Sequence, residues 1–154
     1  MKIRILSVGH KMPAWVQTAC AEYIKRMPRE LAVEIVEIKP DKRSDIKSEA
    51  VQLAESKRIL EAAGQDFLIA CDEHGQALTT LQLAEKLQTW QSLGKNISII
   101  IGGADGLHEQ IKQRADFIWA LSKLTLPHAF VRVLLAEQLY RAYTISQNHP
   151  YHRE

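Results

Sequence analysis

A five-residue apolar run ends in a glycine-rich turn in the sequence ISIIIGGADG, which occupies residues 97–106. The apolar run, residues 97–101, predicts a buried strand. The three glycines of the turn permit backbone angles that other residues avoid, and without side chains the main chain can come close to a ligand. Open α/β sheets bind their ligands at the carboxyl ends of strands. The stretch therefore predicts an α/β fold with a nucleotide-like cofactor at this turn, and Asp105 is a candidate cap for the element that follows.

Predicted strands and helices alternate along the chain outside this stretch as well. Apolar patterns predict five strands, at residues 2–8, 31–38, 67–71, 96–101 and 117–121. Helical spacing predicts five helices: one from about Pro13 to Pro28, and others at 45–63, from Thr79 or Thr80 to about 93, at 108–114 and at 128–146. Residues 72–75 are predicted to form a turn, and 41–44 and 122–126 to form loops. This order predicts a single domain, 1–154, with a mostly parallel sheet and helices on both faces.

The composition favours a globular protein of a reducing compartment. No apolar run reaches 18 residues and the first strand carries charges, so we expect neither a membrane span nor a signal peptide. Two cysteines are too few for a disulfide framework or a zinc site. We therefore expect a cytoplasmic protein without a membrane partner.

The charge distribution leaves two interpretations open. The formal net charge is only +2, so the composition does not by itself indicate a nucleic-acid-binding protein. Basic residues nevertheless cluster at 25–29, at 39–43 and at the end of the chain. Such clusters attract an anionic partner, but each is equally consistent with an ordinary solvated surface.

The last predicted helix has apolar residues on nearly all its sides. A helix of this kind must be buried all round. In a domain of this size, one side is expected to pack on a second copy, which predicts a homodimer. The alternative is complete burial within one subunit.

Several common catalytic motifs are absent. The glycine turn lacks the spacing of the dinucleotide-binding fingerprint, and the chain contains neither a phosphate-binding P-loop nor a serine-hydrolase elbow. His149 and His152 lie three residues apart, but no third metal ligand is close in sequence. We expect no metal, and a terminal tail or a partner contact is the preferred interpretation of this segment.

Three late segments resemble the cofactor loops of the SPOUT class of methyltransferases. They are residues 71–72, 101–107 and 121–128. The resemblance extends from Met1 to Glu154 and includes further blocks at 8–13, 126–133, 137–142 and 149–153. Within that class, the chain is most similar to enzymes that methylate N3 of a pseudouridine in large-subunit ribosomal RNA.

The resemblance implies a fold that periodicity does not reveal, an α/β-knot whose C-terminal part forms a deep trefoil knot. It also implies S-adenosylmethionine as the methyl donor, a homodimer with the active site at its interface, and the assembled ribosome as substrate. Two alternatives remain: a SPOUT enzyme that acts on transfer RNA, and a non-catalytic α/β protein that binds ribosomes.

The resemblance also assigns the donor site. Main-chain groups there would bind the adenine edge, and leucines would form apolar walls. The residues are Cys71, Gly102, Gly103, Leu121, Ser122, Lys123, Leu124, Thr125 and Leu126. The alternative is that Cys71 is a buried core thiol and that Leu124 and Leu126 are ordinary packing residues.

Transfer to N3 requires that the N3 proton leave, so a base or an anion-stabilising group is needed. The candidates are His128, Arg132 and Glu137. His128 begins a helix, where the dipole favours a neutral imidazole, and Arg132 would stabilise negative charge or hold a phosphate. Glu137 precedes Arg141 by four residues, a spacing that also gives a simple intrahelical ion pair.

The tail is the preferred contact for the acceptor RNA. Tyr151 can stack on a base, while His152 and Arg153 can reach phosphate or base edges, and Arg141 is assigned to the same substrate group. We expect the tail to be ordered near a donor pocket, that of the partner subunit.

Overall fold

The computed structural model describes residues 1–9, 11–41, 49–102 and 106–153. Gly103, Asp105, Lys42 and Arg43 lie outside the described residues, as does the predicted loop after Asp41. Five strands are present, β1 Lys2–Val8, β2 Ala32–Ile38, β3 Phe67–Ala77, β4 Ile97–Ile101 and β5 Phe117–Ala120. Five α-helices alternate with them, α1 Ala14–Ile24, α2 Glu49–Ala63, α3 Thr80–Gln91, α4 Glu109–Arg114 and α5 His128–Ser146. Short 3-10 helices lie at Arg29–Leu31 and Pro150–Arg153.

The strands form one sheet in the order β2-β1-β4-β3-β5. All the pairings in the described part of the chain are parallel. β4 lies in the middle, and each of its five residues is buried. A continuous apolar run is what a strand covered on both faces requires, so the predicted parallel sheet with helices on both faces is confirmed.

Two cores cover the two faces of the sheet. Residues of α3 and α5, such as Leu87 and Leu139, pack on one face together with Ile5 of β1. Residues of α2 and α4, such as Ile59 and Ile111, pack on the other face. The segments that follow β4 and β5 begin at the carboxyl edge of the sheet. None of the helices in the described ranges is long and apolar enough to cross a membrane.

The predicted helix boundaries agree with local capping. Thr79 caps α3 because its side chain accepts a hydrogen bond from the backbone of Gln82, whose own side chain accepts one from the backbone of Thr79. α5 begins directly after Pro127 and ends at Ser146, as predicted. Asp105, the expected cap, lies outside the described residues; the side chain of His108 caps α4 instead.

The prediction that residues 72–75 form a turn was wrong. β3 continues to Ala77, and its pairing with β5 jumps from Cys71–Trp119 to Gln76–Trp119. At this irregularity the backbone of Gly75 crosses β5 closely. A Cβ at Gly75 would lie 2.6 Å from the carbonyl carbon and oxygen of Ile118. The polar sequence of this segment suggested a turn. In the structure residues 72–75 form a bulge within β3, after which Gln76 and Ala77 pair with β5 again.

We predict that Gly75→Ala destabilises the fold, because its methyl group would overlap the backbone of β5. The free energy of unfolding should fall by about 2–4 kcal/mol in urea titrations. Gly64→Ala serves as the control. Gly64 has a φ of +55° but nothing within 4 Å of a Cβ, so it should lose only about 1–2 kcal/mol. Equal losses in the two variants would contradict the close crossing.

Candidate functional site

A cavity of about 1320 Å³ lies at the carboxyl ends of β3, β4 and β5. The glycine turn after β4 and the 121–127 segment after β5 form two of its walls. All the predicted donor residues that the structure describes line this cavity, and so does His128. These donor residues are Cys71, Gly102, Leu121, Ser122, Lys123, Leu124, Thr125 and Leu126. Gly103 lies outside the described residues.

Gly102 is a position where any side chain would disturb the cavity wall. A Cβ there would lie 2.9 Å from Cδ2 of Leu107. The adjacent wall holds the thiol of Cys71, and desolvation raises the pKa of that thiol to about 12. Cys71 is therefore a neutral thiol at pH 7 and not a nucleophile.

The segment between β5 and α5 carries the apolar side chains of the cavity mouth. The Ser122 hydroxyl accepts a hydrogen bond from the backbone N–H of Leu124 at 2.9 Å, which fixes the turn. The side chain of Leu124 is 75% exposed. An apolar side chain held out at the mouth of a cavity is available to cover a ligand.

A carboxylate lies on the rim opposite that segment. Burial raises the pKa of the Asp72 carboxyl, but the hydrogen bonds from His74 and the charge of Lys112 outweigh burial and leave the pKa below its usual value. The Lys112 ammonium is 3.5 Å from Asp72. The rim therefore carries an ionised carboxylate at neutral pH.

His128 connects three elements at the cavity. It is the first residue of α5, its Nε2 lies 2.5 Å from the hydroxyl of Ser7 on β1, and it hydrogen-bonds the backbone of Gly102 after β4. Burial, and next the charge of Arg132, lower the pKa of the imidazole, and the Gly102 bond opposes them only in part. His128 is therefore neutral at pH 7, as the helix-dipole argument predicted.

Sequence reasoning missed Ser7, which is fully buried in β1. A serine within a strand gives no local signal of its partner. Its partner here is 121 residues away in sequence.

The other two catalytic candidates do not line this cavity. Arg132 is 3% exposed, and its Nη1 donates to Oε1 of Glu37 at 3.1 Å. It borders a second, smaller cavity between α1 and β2. Glu137 pairs with Nε of Arg141 at 2.6 Å, which is the simple i,i+4 ion pair given as its alternative role. Glu37 was also missed by sequence reasoning.

The tail is ordered, but it does not reach the cavity of its own chain. Residues 150–153 pack at the far end of α5, whose 19 residues correspond to about 28 Å. The Tyr151 ring lies 4.7 Å from that of Tyr140 and 4.9 Å from the guanidinium carbon of Arg141. Burial, followed by the hydrogen bond between its hydroxyl and Tyr23, raises the pKa of Tyr151 to about 12.

The remaining tail residues are His152, whose backbone carbonyl faces Arg141 at 3.5 Å, and the exposed Arg153. Of the predicted substrate group, Arg141, Tyr151 and His152 therefore meet in one cluster. Across the described ranges, no three His, Cys, Asp or Glu side chains are placed to share a metal ion.

Comparisons with known proteins cover the whole chain. A family model described as Predicted SPOUT methyltransferase matches residues 1–152. The chain is 66% identical to a protein named Ribosomal RNA large subunit methyltransferase H from Methylobacillus flagellatus, over the full length of both. It is 55% and 53% identical to proteins of that name from Paraburkholderia phymatum and Dechloromonas aromatica, over at least 99% of each chain.

Solved structures resemble this one at low sequence identity. A probable methylase family protein from Haemophilus influenzae matches with a TM-score of 0.60 and 15% identity, over 97% of this chain and 69% of that chain. A putative RNA methyltransferase from Bacillus anthracis matches with 0.56 and 13%, over 97% and 96%. At such identities the likeness concerns the fold alone.

We predict that His128 titrates below pH 6.5 and that Arg132→Gln raises its midpoint, because the substitution removes a nearby positive charge. Imidazole resonances followed by NMR against pH measure both, with His128→Asn to assign the signal. Arg153→Gln, on the distant tail, should leave the midpoint unchanged. A midpoint at or above 6.5, or one that Arg132→Gln does not move, would refute the electrostatic coupling.

Proposed function

The chain belongs to the SPOUT methyltransferase family, and we propose that it transfers a methyl group from S-adenosylmethionine to N3 of a pseudouridine in large-subunit ribosomal RNA. The full-length relatives named Ribosomal RNA large subunit methyltransferase H support the ribosomal RNA substrate. The observation that carries the proposal is the 1320 Å³ cavity, because it brings the glycine turn together with the 121–127 segment. We further propose that the substrate is the assembled ribosome and that the protein acts in the cytoplasm.

The residues of this cavity fit the proposed donor. Main-chain groups of 121–126 would hydrogen-bond the adenine edge, and Leu121, Leu124 and Leu126 would provide apolar walls. The close packing of Gly102 on Leu107 lets the backbone itself form the wall. The donor supplies a methyl carbon on a sulfonium; the cavity residues orient it and exclude water.

The acceptor must lose a proton as N3 forms its bond to the methyl carbon and the sulfur keeps the electrons of the broken bond. His128 is neutral and lies on the cavity wall, so it is the best-placed group to take up that proton. Arg132, one helical turn further, would stabilise the anionic ring by its charge. Glu137 would contribute by holding the guanidinium of Arg141 in an ion pair.

An exposed apolar surface supports the proposed homodimer. Trp15 of α1 and Phe130 of α5 are about half exposed, and Leu134 of α5 is 37% exposed. The rings of Trp15 and Phe130 lie 5.6 Å apart. Together these three residues form an apolar patch beside the start of α5, and a second copy would cover it.

The same arrangement supports a composite active site. The tail lies at the carboxyl end of α5 and the donor cavity at its amino end. If two α5 helices pack antiparallel, each tail comes to the cavity of the partner. Tyr151, His152 and Arg153 would then contact acceptor RNA bound to the partner subunit.

We also propose that the C-terminal part of the chain is threaded as a deep trefoil knot. The close crossing of Gly75 over the backbone of Ile118 supports this topology. At this crossing the second half of β3 lies tightly against β5, the last strand before α5.

The proposed reaction is tested by measuring labelled methyl transfer to intact ribosomes, isolated subunits and transfer RNA in parallel, with donor binding measured by calorimetry. We expect saturable donor binding and label in large-subunit RNA of intact ribosomes. Gly102→Val should abolish both, since its side chain collides with Leu107. Label only in transfer RNA would favour the SPOUT alternative, and ribosome binding without donor binding would favour a non-catalytic protein.

The composite site is tested with mixed dimers. A chain truncated after Asn148 should bind the donor but fail to methylate, and Gly102→Val should keep its tail but lose the donor. When the two are co-expressed with different tags and purified as a heterodimer, one complete site should form, which restores up to about half of the wild-type activity. A heterodimer as inactive as its parents would reject a tail that acts on the partner.

A further inference from the structure

The second cavity, about 540 Å³, lies between α1 and β2. One side is apolar, with Val16 and Ile24 of α1 facing Val33 of β2. The other end is charged and holds Lys11, Glu37 and Arg132. Among the described residues it shares no lining residue with the larger cavity, and of the catalytic candidates Arg132 borders it.

Arg132 is an unusual residue in the wall of such a cavity, because it is charged and buried. Its side chain is nearly fully buried, and its Nη1 pairs with the carboxylate of Glu37. Nε and Nη2 have no hydrogen-bond partner in the described part of the structure. Buried donors without partners are unfavourable, and a guanidinium edge with two free N–H groups matches two oxygens of an anion.

A second cation lies at the same end. Lys11 is exposed and lines the cavity. Nε and Nη2 of Arg132 are covered, and a Cβ on Gly9 would lie 3.9 Å from Nη2. An anion that binds this edge must therefore displace Gly9. The volume and the apolar wall exceed what a bare inorganic anion needs and suit an anion with a flat apolar body.

We propose that this cavity binds a nucleotide next to the methylated one, with its phosphate on Arg132 and Lys11 and its base against the apolar wall of α1 and β2. The inference rests on the proposed function, since it supplies that RNA with a second contact. In this arrangement the phosphate binds Nε and Nη2 of Arg132, and Glu37 keeps Nη1.

The position of the cavity fits this role. β2, which lines the second cavity, and β4, which ends at the donor cavity, are separated by β1, so they lie about 9.6 Å apart. His128 borders the donor cavity and Arg132 the second one, and these two residues are about 6 Å apart along α5. A single strand of RNA that crosses the start of α5 thus meets both cavities with consecutive nucleotides.

Three substitutions test the subsite: two remove a positive charge and one removes a negative charge. Lys11→Gln and Arg132→Gln should raise the KM for ribosomes roughly threefold or more, and each should reduce the slope of log KM against log salt by about 0.7 to 1. Glu37→Gln should lower the KM, because it removes a carboxylate that repels the RNA phosphate. The dissociation constant of the methyl donor should stay the same in all three. Lys95→Gln, at an exposed lysine far from the cavity, is the matched control.

A binding assay without catalysis separates this proposal from the proposed function. Uridine 5′-monophosphate should shift the NMR resonances of α1 and β2. The shifts should be smaller with inorganic phosphate alone or with uridine alone. They should also be smaller when the nucleotide is added to Lys11→Gln. If wild-type protein transfers no methyl group yet binds the nucleotide here, the proposed reaction fails and the subsite stands. If phosphate alone binds as tightly as the nucleotide, or if Glu37→Gln and Arg132→Gln change KM in the same direction, the subsite is overturned.

Discussion

A single imidazole holds the carboxyl edge of the sheet together. His128 contacts Ser7 of β1 and the backbone of Gly102 after β4, and it begins the helix that covers one face. This link joins the glycine turn to the start of α5. Burial together with the charge of Arg132 favours the neutral ring. The protonation state of a residue on the wall of the larger cavity therefore depends on a charge one helical turn away.

Charged groups at the two ends of the sheet have different tasks. At the amino end, Arg4 pairs with Asp66 at 2.6 Å, and Ser98 donates to the same carboxylate. Those partners satisfy one another and stabilise the fold. At the carboxyl end, Arg132 keeps two donors without described partners. An edge left unsatisfied in this way is typical of a site that a ligand completes.

Local patterns were enough to predict most of the fold. The continuous apolar sequence of β4 predicted a central strand, and Pro127 with the apolar residues beyond it predicted α5. The extension of β3 was not predictable, since residues 72–76 are polar and the pairing resumes only at Gln76 and Ala77, opposite a distant strand. The resemblance to the SPOUT class predicted which residues would form the wall of the donor cavity. The partners of His128 and Arg132, Ser7 and Glu37, came only from the structure, because each pair joins residues about a hundred positions apart.

The order of strands has a consequence during synthesis. β1 leaves the ribosomal exit tunnel early, but one of its two neighbours, β4, is made only some 90 residues later. Until then β1 has an open edge, which can pair wrongly with another chain. Long-range pairing of this kind slows folding. The nascent chain must therefore avoid aggregation until β4, the central strand, has been synthesised.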